Sequence, residues 1–156
     1  MSEISRLDQR KIEAALLARM YEVLTDAYGP ERALELVREA VERDSEAAGR
    51  AFASAAPGGV PSLEHFLTVV DSWRGSGALE VGEVRREGGR AAFDVTRCEY
   101  VRAYREMGIA GELLPVIACG RDEPFARGYS GKLAMDRPGT IGLGSAACGF
   151  AFSWKE

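Results

Sequence analysis

The sequence predicts an α+β fold in which N-terminal helices pack on a roughly four-stranded antiparallel sheet that is itself interrupted by helices. Two observations carry this reading. Apolar residues recur every three to four positions through the first third, and glycine-bearing turns with alternating residues take over from Gly75. A chain of 156 residues without internal repeats fits one domain over 1–156, with a helical part at 1–74 and an α+β part at 75–156.

The first helix is expected over 9–27, where Ile12, Leu16, Leu17, Met20, Val23 and Leu24 form one apolar stripe. Gly29 stops it, tolerating positive φ, and Pro30 starts the next, needing no partner for its missing amide. The second helix carries Ala33, Leu36, Val37, Ala40 and Val41 and runs on to Phe52, before Pro57-Gly58-Gly59. A short third helix follows Ser62, a good N-cap, with Leu63, Phe66, Leu67 and Val70 inward. Two strands at 78–86 and 90–97 meet across Glu87-Gly88-Gly89. Helices at 98–107 and 113–119 come next, then a backbone turn at Asp122-Glu123-Pro124-Phe125. A strand at 132–136, the turn Arg137-Pro138-Gly139 and a last strand from about 146 to 154 complete the chain. On that last strand Cys148 shares a face with Phe150, Phe152 and Trp154.

With 46% hydrophobic residues the chain can bury a core, and 24 acidic against 20 basic side chains argue against a nucleic-acid partner. A single histidine, His65, excludes paired-histidine metal motifs; beside Glu64 on a short helix it reads as a solvated or capping side chain. Three cysteines cannot form a fully paired disulfide framework. The polar first ten residues lack the apolar core of a signal peptide, and no apolar run approaches the roughly 20 residues that span a bilayer. The expectation is a cytoplasmic protein with reduced cysteines, no membrane partner and a small-molecule substrate; a homo-oligomer stays open.

Cys98, Cys119, Asp122 and Cys148 are the residues that could carry chemistry. The i, i+3 spacing of Cys119 and Asp122 puts thiol and carboxylate on adjacent faces of one turn. There Asp122 could accept a proton or orient a water, though an anion alone raises a thiol's pKa; Arg121 and Arg97 are the local cations that could offset this. The plainer reading is that all three cysteines are core residues, since free cysteine is among the most buried types. Gly142-Leu143-Gly144 precedes a terminal strand, not a helix, so it is no dinucleotide fingerprint; these glycines let backbone bend or approach a ligand. Tyr100 and Tyr104, one turn apart, are core residues whose hydroxyls reach a polar edge or a pocket. The run Glu83-Val84-Arg85-Arg86-Glu87 reads as a solvated hairpin arm.

The stretches Phe93-Asp94-Val95-Thr96-Arg97-Cys98-Glu99-Tyr100, Tyr104-Arg105-Glu106-Met107-Gly108, Cys119-Gly120-Arg121-Asp122, Thr140-Ile141, Gly144 and Cys148-Gly149-Phe150 together resemble the L-2-amino-thiazoline-4-carboxylic acid hydrolase family. The N-terminal helices with Tyr28-Gly29 and Ala33-Leu34 resemble its helical half. The resemblance implies hydrolytic opening of a cyclic, amidine-like C=N bond, with Cys98, Cys119, Asp122 and Cys148 at recurrent motif positions but without settled roles. The chain departs from the family pattern at Arg137-Pro138-Gly139-Thr140, keeping Arg137 and Thr140 and losing a middle hydroxyl. It departs again after Cys148, where Gly149, Phe150 and Ala151 replace a charged pair.

The mechanism expected on this basis is a thiol-dependent hydrolase in which Cys119 attacks or Asp122 activates a water, while Cys98 and Cys148 position groups or relay protons. Arg137 is the natural partner for a substrate carboxylate, with Thr140, Tyr100, Tyr104 and Arg97 around the substrate. Two alternatives stand beside it. One is a thiophilic divalent-metal or ligand-binding protein, the Cys-x-x-Asp and later Cys also resembling organomercurial lyases; the other is a non-catalytic sensor on the same fold.

Overall fold

The computed structural model describes residues 3–156; Met1 and Ser2, the first residues of the polar N-terminus, lie outside the described residues. Two long helices, α1 (Arg6–Tyr28) and α2 (Pro30–Ser54), form an antiparallel pair joined at Gly29, whose φ of 85° only glycine adopts freely. Ser5 caps α1 by accepting from the Asp8 amide. Ser62 caps α3 (Leu63–Leu67) through the His65 amide, and Thr68 separates α3 from α4 (Val69–Trp73).

The sheet follows. Strands β1 (Leu79–Val81) and β2 (Arg85–Glu87) both pair antiparallel with β3 (Arg90–Cys98), which pairs with β5 (Cys148–Trp154), and β5 pairs with β4 (Leu133–Asp136). The sheet is thus five-stranded: the arm expected as one strand breaks where the register slips between Glu80 and Val81 and Gly82 bonds to Asp94. Arg85, Arg86 and Glu87 are solvated, as a hairpin arm should be. Between β3 and β4 lie α5 (Glu99–Glu106), α6 (Leu113–Ile117), a 3-10 turn at Cys119–Arg121 and α7 (Asp122–Tyr129). The expected turn at Asp122-Glu123-Pro124-Phe125 is instead the first turn of α7. Pro124 fits there because first-turn amides have no partner within a helix.

Helix α1 turns a different face inward from the one its apolar spacing predicts. Ala14, Leu17, Tyr21 and Leu24 pack on the neighbouring helices, while Ile12, Leu16, Met20 and Val23 stay exposed. Pairing with α2 and α5 selects small Ala14 and Tyr21, whose hydroxyl donates to Glu112 at 3.0 Å, over the longer aliphatic row.

Two cores result. One, rich in aromatics, joins Ala91, Phe93 and Val95 of β3 and Cys148, Phe150 and Phe152 of β5 to Phe66, Val69, Val70 and Tyr129. The expected alternation of Cys148, Phe150, Phe152 and Trp154 is what gives β5 its inner face. The other, aliphatic, joins Ala33, Val37 and Val41 of α2 to Val101, Tyr104, Leu113, Leu114 and Ile117. Helices α2 and α7 meet almost backbone to backbone. A Cβ on Gly49 would lie 2.8 Å from the Tyr129 amide, and one on Gly128 would lie 2.8 Å from the Glu46 Cα. Among the described residues no helix is long and apolar enough to cross a membrane.

Candidate functional site

A cavity of about 430 Å³ lies between the two cores, walled by α1, α2, α4, α5, α7 and the inner face of β3 and β5. Cys98, Cys119, Cys148 and Asp122, separated by up to 50 positions in sequence, all line it. Cys98 arrives as the last residue of β3 and the cap of α5. Cys119 and Asp122 arrive because Ala118 leaves helical geometry (φ −95°, ψ −80°) and ends α6, so that one 3-10 turn swings the chain into α7. Cys148 begins β5 and accepts a hydrogen bond from the Ile141 amide, N to Sγ 3.2 Å.

Gly142 is explained by the neighbouring thiol. Any Cβ there would stand 2.5 Å from Cys119 Sγ, so the glycine makes room for sulfur, while Gly144 (φ 95°) closes the 3-10 turn at Ile141–Leu143. Cys148 thus meets the backbone at Ile141 and Cys119 meets it at Gly142, one residue on.

Asp122 pairs with Arg137 through Oδ2 and Nη1, and Arg137 Nη2 donates to the Cys119 carbonyl at 2.9 Å. The guanidinium carbon lies 5.2 Å from the centre of the Phe150 ring, a cation–π placement. Both ends of its fork are therefore engaged by the protein, and its buried Nε has no acceptor. Burial pushes the Asp122 carboxyl up to about 6, although Arg137 and, more weakly, Arg121 and Arg10 pull it back. Its Oδ1 has no hydrogen-bond partner among the described residues. Burial pushes the Cys98 thiol up to about 11 and raises that of Cys148 as well, each against a smaller pull from nearby amides.

Tyr100 and Tyr104 line the cavity, with hydroxyls donating to the carbonyls of Trp73 and Arg10, each at 3.3 Å. Burial raises both phenols, Tyr104 to about 12. Arg97 and Thr140 stand elsewhere. Arg97 is exposed on the sheet, pairing with Glu99 at 2.7 Å and Glu80 at 3.3 Å. Thr140 is buried away from the cavity and caps the 3-10 turn by accepting from the Leu143 amide at 3.1 Å. Neither is a cavity wall, because each side chain is committed to local structure.

Sequence reasoning did not single out Arg6 or Arg10, nor Phe52, Trp73 and Phe125 as one aromatic wall with Phe150. The i, i+4 spacing of Arg6 and Arg10 puts them on one helix face, but that pattern is usual for solvated helices. His65 is neither solvated nor a cap. It stacks on Phe52 with ring centroids 4.5 Å apart and bonds through Nδ1 to the Tyr129 hydroxyl at 2.9 Å. Among the described residues no three His, Cys, Asp or Glu side chains converge closely enough to hold a metal ion, so the thiophilic-metal alternative lacks a donor set here.

No curated protein matches the sequence. The fold is similar to that of the phenol-responsive sensory domain of the transcription activator PoxR, solved with phenol. The TM-score is 0.55 and the identity 20%, over 90% of this chain and 73% of that one. The sequence model of L-2-amino-thiazoline-4-carboxylic acid hydrolase matches residues 9–152, which spans both cores and every cavity residue discussed except Arg6, and on that match the chain belongs to this family.

Proposed function

We propose that the chain hydrolyses a C=N bond in a small cyclic substrate held in this cavity, with Asp122 as the general base. One observation carries the reading: a carboxylate poised near pH 6 at the polar end of an apolar cavity, anchored by Arg137 through one oxygen with the other unengaged. As a water oxygen bonds to the C=N carbon, Asp122 takes one of its protons, and the ring nitrogen gains a proton from the Cys119 thiol. The adduct then collapses to a carbonyl as the ring C–N bond breaks, Asp122 passing its proton to the departing nitrogen and the hydroxyl proton returning to Cys119. Water activation is favoured over thiolate attack by Cys98 or Cys148, because burial keeps both thiols protonated at neutral pH.

The experiment is ring opening of L-2-amino-thiazoline-4-carboxylic acid. Wild type should turn over with kcat/KM rising through an apparent pKa of about 6, Asp122→Asn should lose at least 100-fold, and Cys119→Ser should lose about 10-fold. Full activity of Asp122→Asn would overturn the assignment.

The aromatic wall and the likeness in fold to a phenol-responsive domain favour a second reading, a ligand sensor without turnover. It expects thermal stabilisation by ligand and no product under any condition.

A further inference from the structure

The sequence assigned a substrate carboxylate to Arg137, but the ends of that fork are held by Asp122 and the Cys119 carbonyl. Cations available to a ligand must come from elsewhere. Four arginines line the cavity: Arg6, Arg10, Arg121 and Arg137. Three carboxylates meet them. Asp122 takes Arg137, Asp44 takes Arg121 at 3.1 Å, and Glu13 Oε2 is shared between Arg10 at 2.5 Å and Arg121 at 3.3 Å. Arg6 has no carboxylate partner among the described residues. One positive charge is thus unmatched at the mouth of a cavity in a chain whose formal charge is −4, and it would draw a monoanion in.

The rest of the cavity sets the ligand's body. Trp73 stands 6.2 Å from Phe125 and 6.0 Å from Phe150, and Phe52 stands 5.8 Å from Phe125, ring centre to ring centre, so four aromatic side chains form a continuous wall. A volume of about 430 Å³ falls in the range of roughly 300–1,000 Å³ that accepts drug-sized ligands, more than one five-membered ring fills. The hydroxyl hydrogens of Tyr100 and Tyr104 are already donated to backbone carbonyls, so the tyrosines offer a neutral phenol or amide few donors.

We infer that the ligand is a flat carboxylate of about two fused rings, the C=N ring joined to an aromatic one, its carboxylate at Arg6 and Arg10 on α1 and its rings against Trp73 and Phe125. This rests on reading the cavity as the substrate site, and it makes Arg6 and Arg10 specificity residues.

The test is binding, without turnover, of 2-naphthoate and its neutral isostere 2-naphthamide, by calorimetry and thermal shift. Naphthoate should bind at least 10-fold tighter. Arg6→Gln and Arg10→Gln should each cut that preference several-fold while leaving naphthamide unchanged, and Arg19→Gln, on the exposed face of the same helix, should leave both ligands unchanged. Equal binding of acid and amide, or a preference that survives both cavity variants, would overturn the inference. Because the readout needs no hydrolysis, loss of ring-opening activity alone would sink the proposed reaction and leave this ligand class standing. Arg6 lies at the cavity mouth, so Arg6→Gln keeps the test decisive should Arg10→Gln disturb the Glu13 pairing.

Discussion

Helices α1 and α2 are nearly equal in length, adjacent and antiparallel, yet they are held in opposite ways. Helix α2 puts Ala33, Val37, Val41, Ser45 and Gly49 inward at a strict spacing of four, and its last turns lie against α7 with glycine facing backbone on each side. Helix α1 buries only Ala14 and Tyr21 fully and leaves Ile12, Leu16, Met20 and Val23 in solvent. The cavity therefore has a wall fixed by backbone packing, which carries Phe125 and Asp122, and a facing wall of long charged side chains from a lightly held helix. In the proposed reaction, placement of reacting groups belongs to the first wall and recognition to the second.

The sharpest break of this contrast is at the glycines. Gly49→Ala or Gly128→Ala forces a Cβ into main-chain atoms that cannot step aside, and should cost about 3 kcal/mol, lowering Tm by roughly 10 °C in a thermal melt. The next effect is electrostatic. The folded-state pKa of Asp122, about 6, exceeds its unfolded value of 3.8, so the folded chain binds this proton more tightly. The stabilisation this gives is complete below about pH 4 and is lost as pH rises through 6, a change on the order of 2 kcal/mol. Urea denaturation from pH 4 to 7 should show that decline in wild type, and the decline should vanish in Asp122→Asn.

On the lightly held side the effects shrink. Tyr21→Phe removes the bond to Glu112 and should cost about 1 kcal/mol by urea denaturation. Smallest of all, Ile12→Gln and Leu16→Gln should shift stability by less than about 0.5 kcal/mol. A loss above about 1 kcal/mol that depends on protein concentration would instead show that the exposed row of α1 is covered by a second copy.

Much of the fold was legible because local chemistry and tertiary packing agree. Gly29-Pro30, the Ser62 cap, the Gly88-Gly89 hairpin and the alternation along β5 each specify one geometry, and each is present. Helix α1 misled because two apolar rows run along it, and only its neighbours decide which one is buried. Pro124 misled because proline ends helices in their interior but is tolerated in their first turn. At the site, residue types at recurrent positions pointed to Cys98, Cys119, Cys148 and Asp122, which the fold does gather at one cavity. Arg97 and Thr140 resemble them in pattern only, since an exposed ion pair and a buried cap leave no trace in spacing. Arg6 and Arg10 were hidden for the opposite reason: on a helix, an arginine that lines a cavity is spelled like one that faces water.

The junction at Cys98 has a mechanical consequence. Strand β3 passes into α5 with no loop between them, so one residue ends the ladder and begins the coil. Tilting α5 to admit a bulkier guest would have to twist the centre of the sheet, dragging Val95 and its β5 partner Cys148 out of register. Slack exists on the other side, where α1 buries only two side chains fully and is otherwise held at Gly29 and by polar contacts at Arg10, Glu13 and Tyr21. A guest too large for the resting chamber will be accommodated by displacing that helix, with the thiols and the carboxylate left where they are.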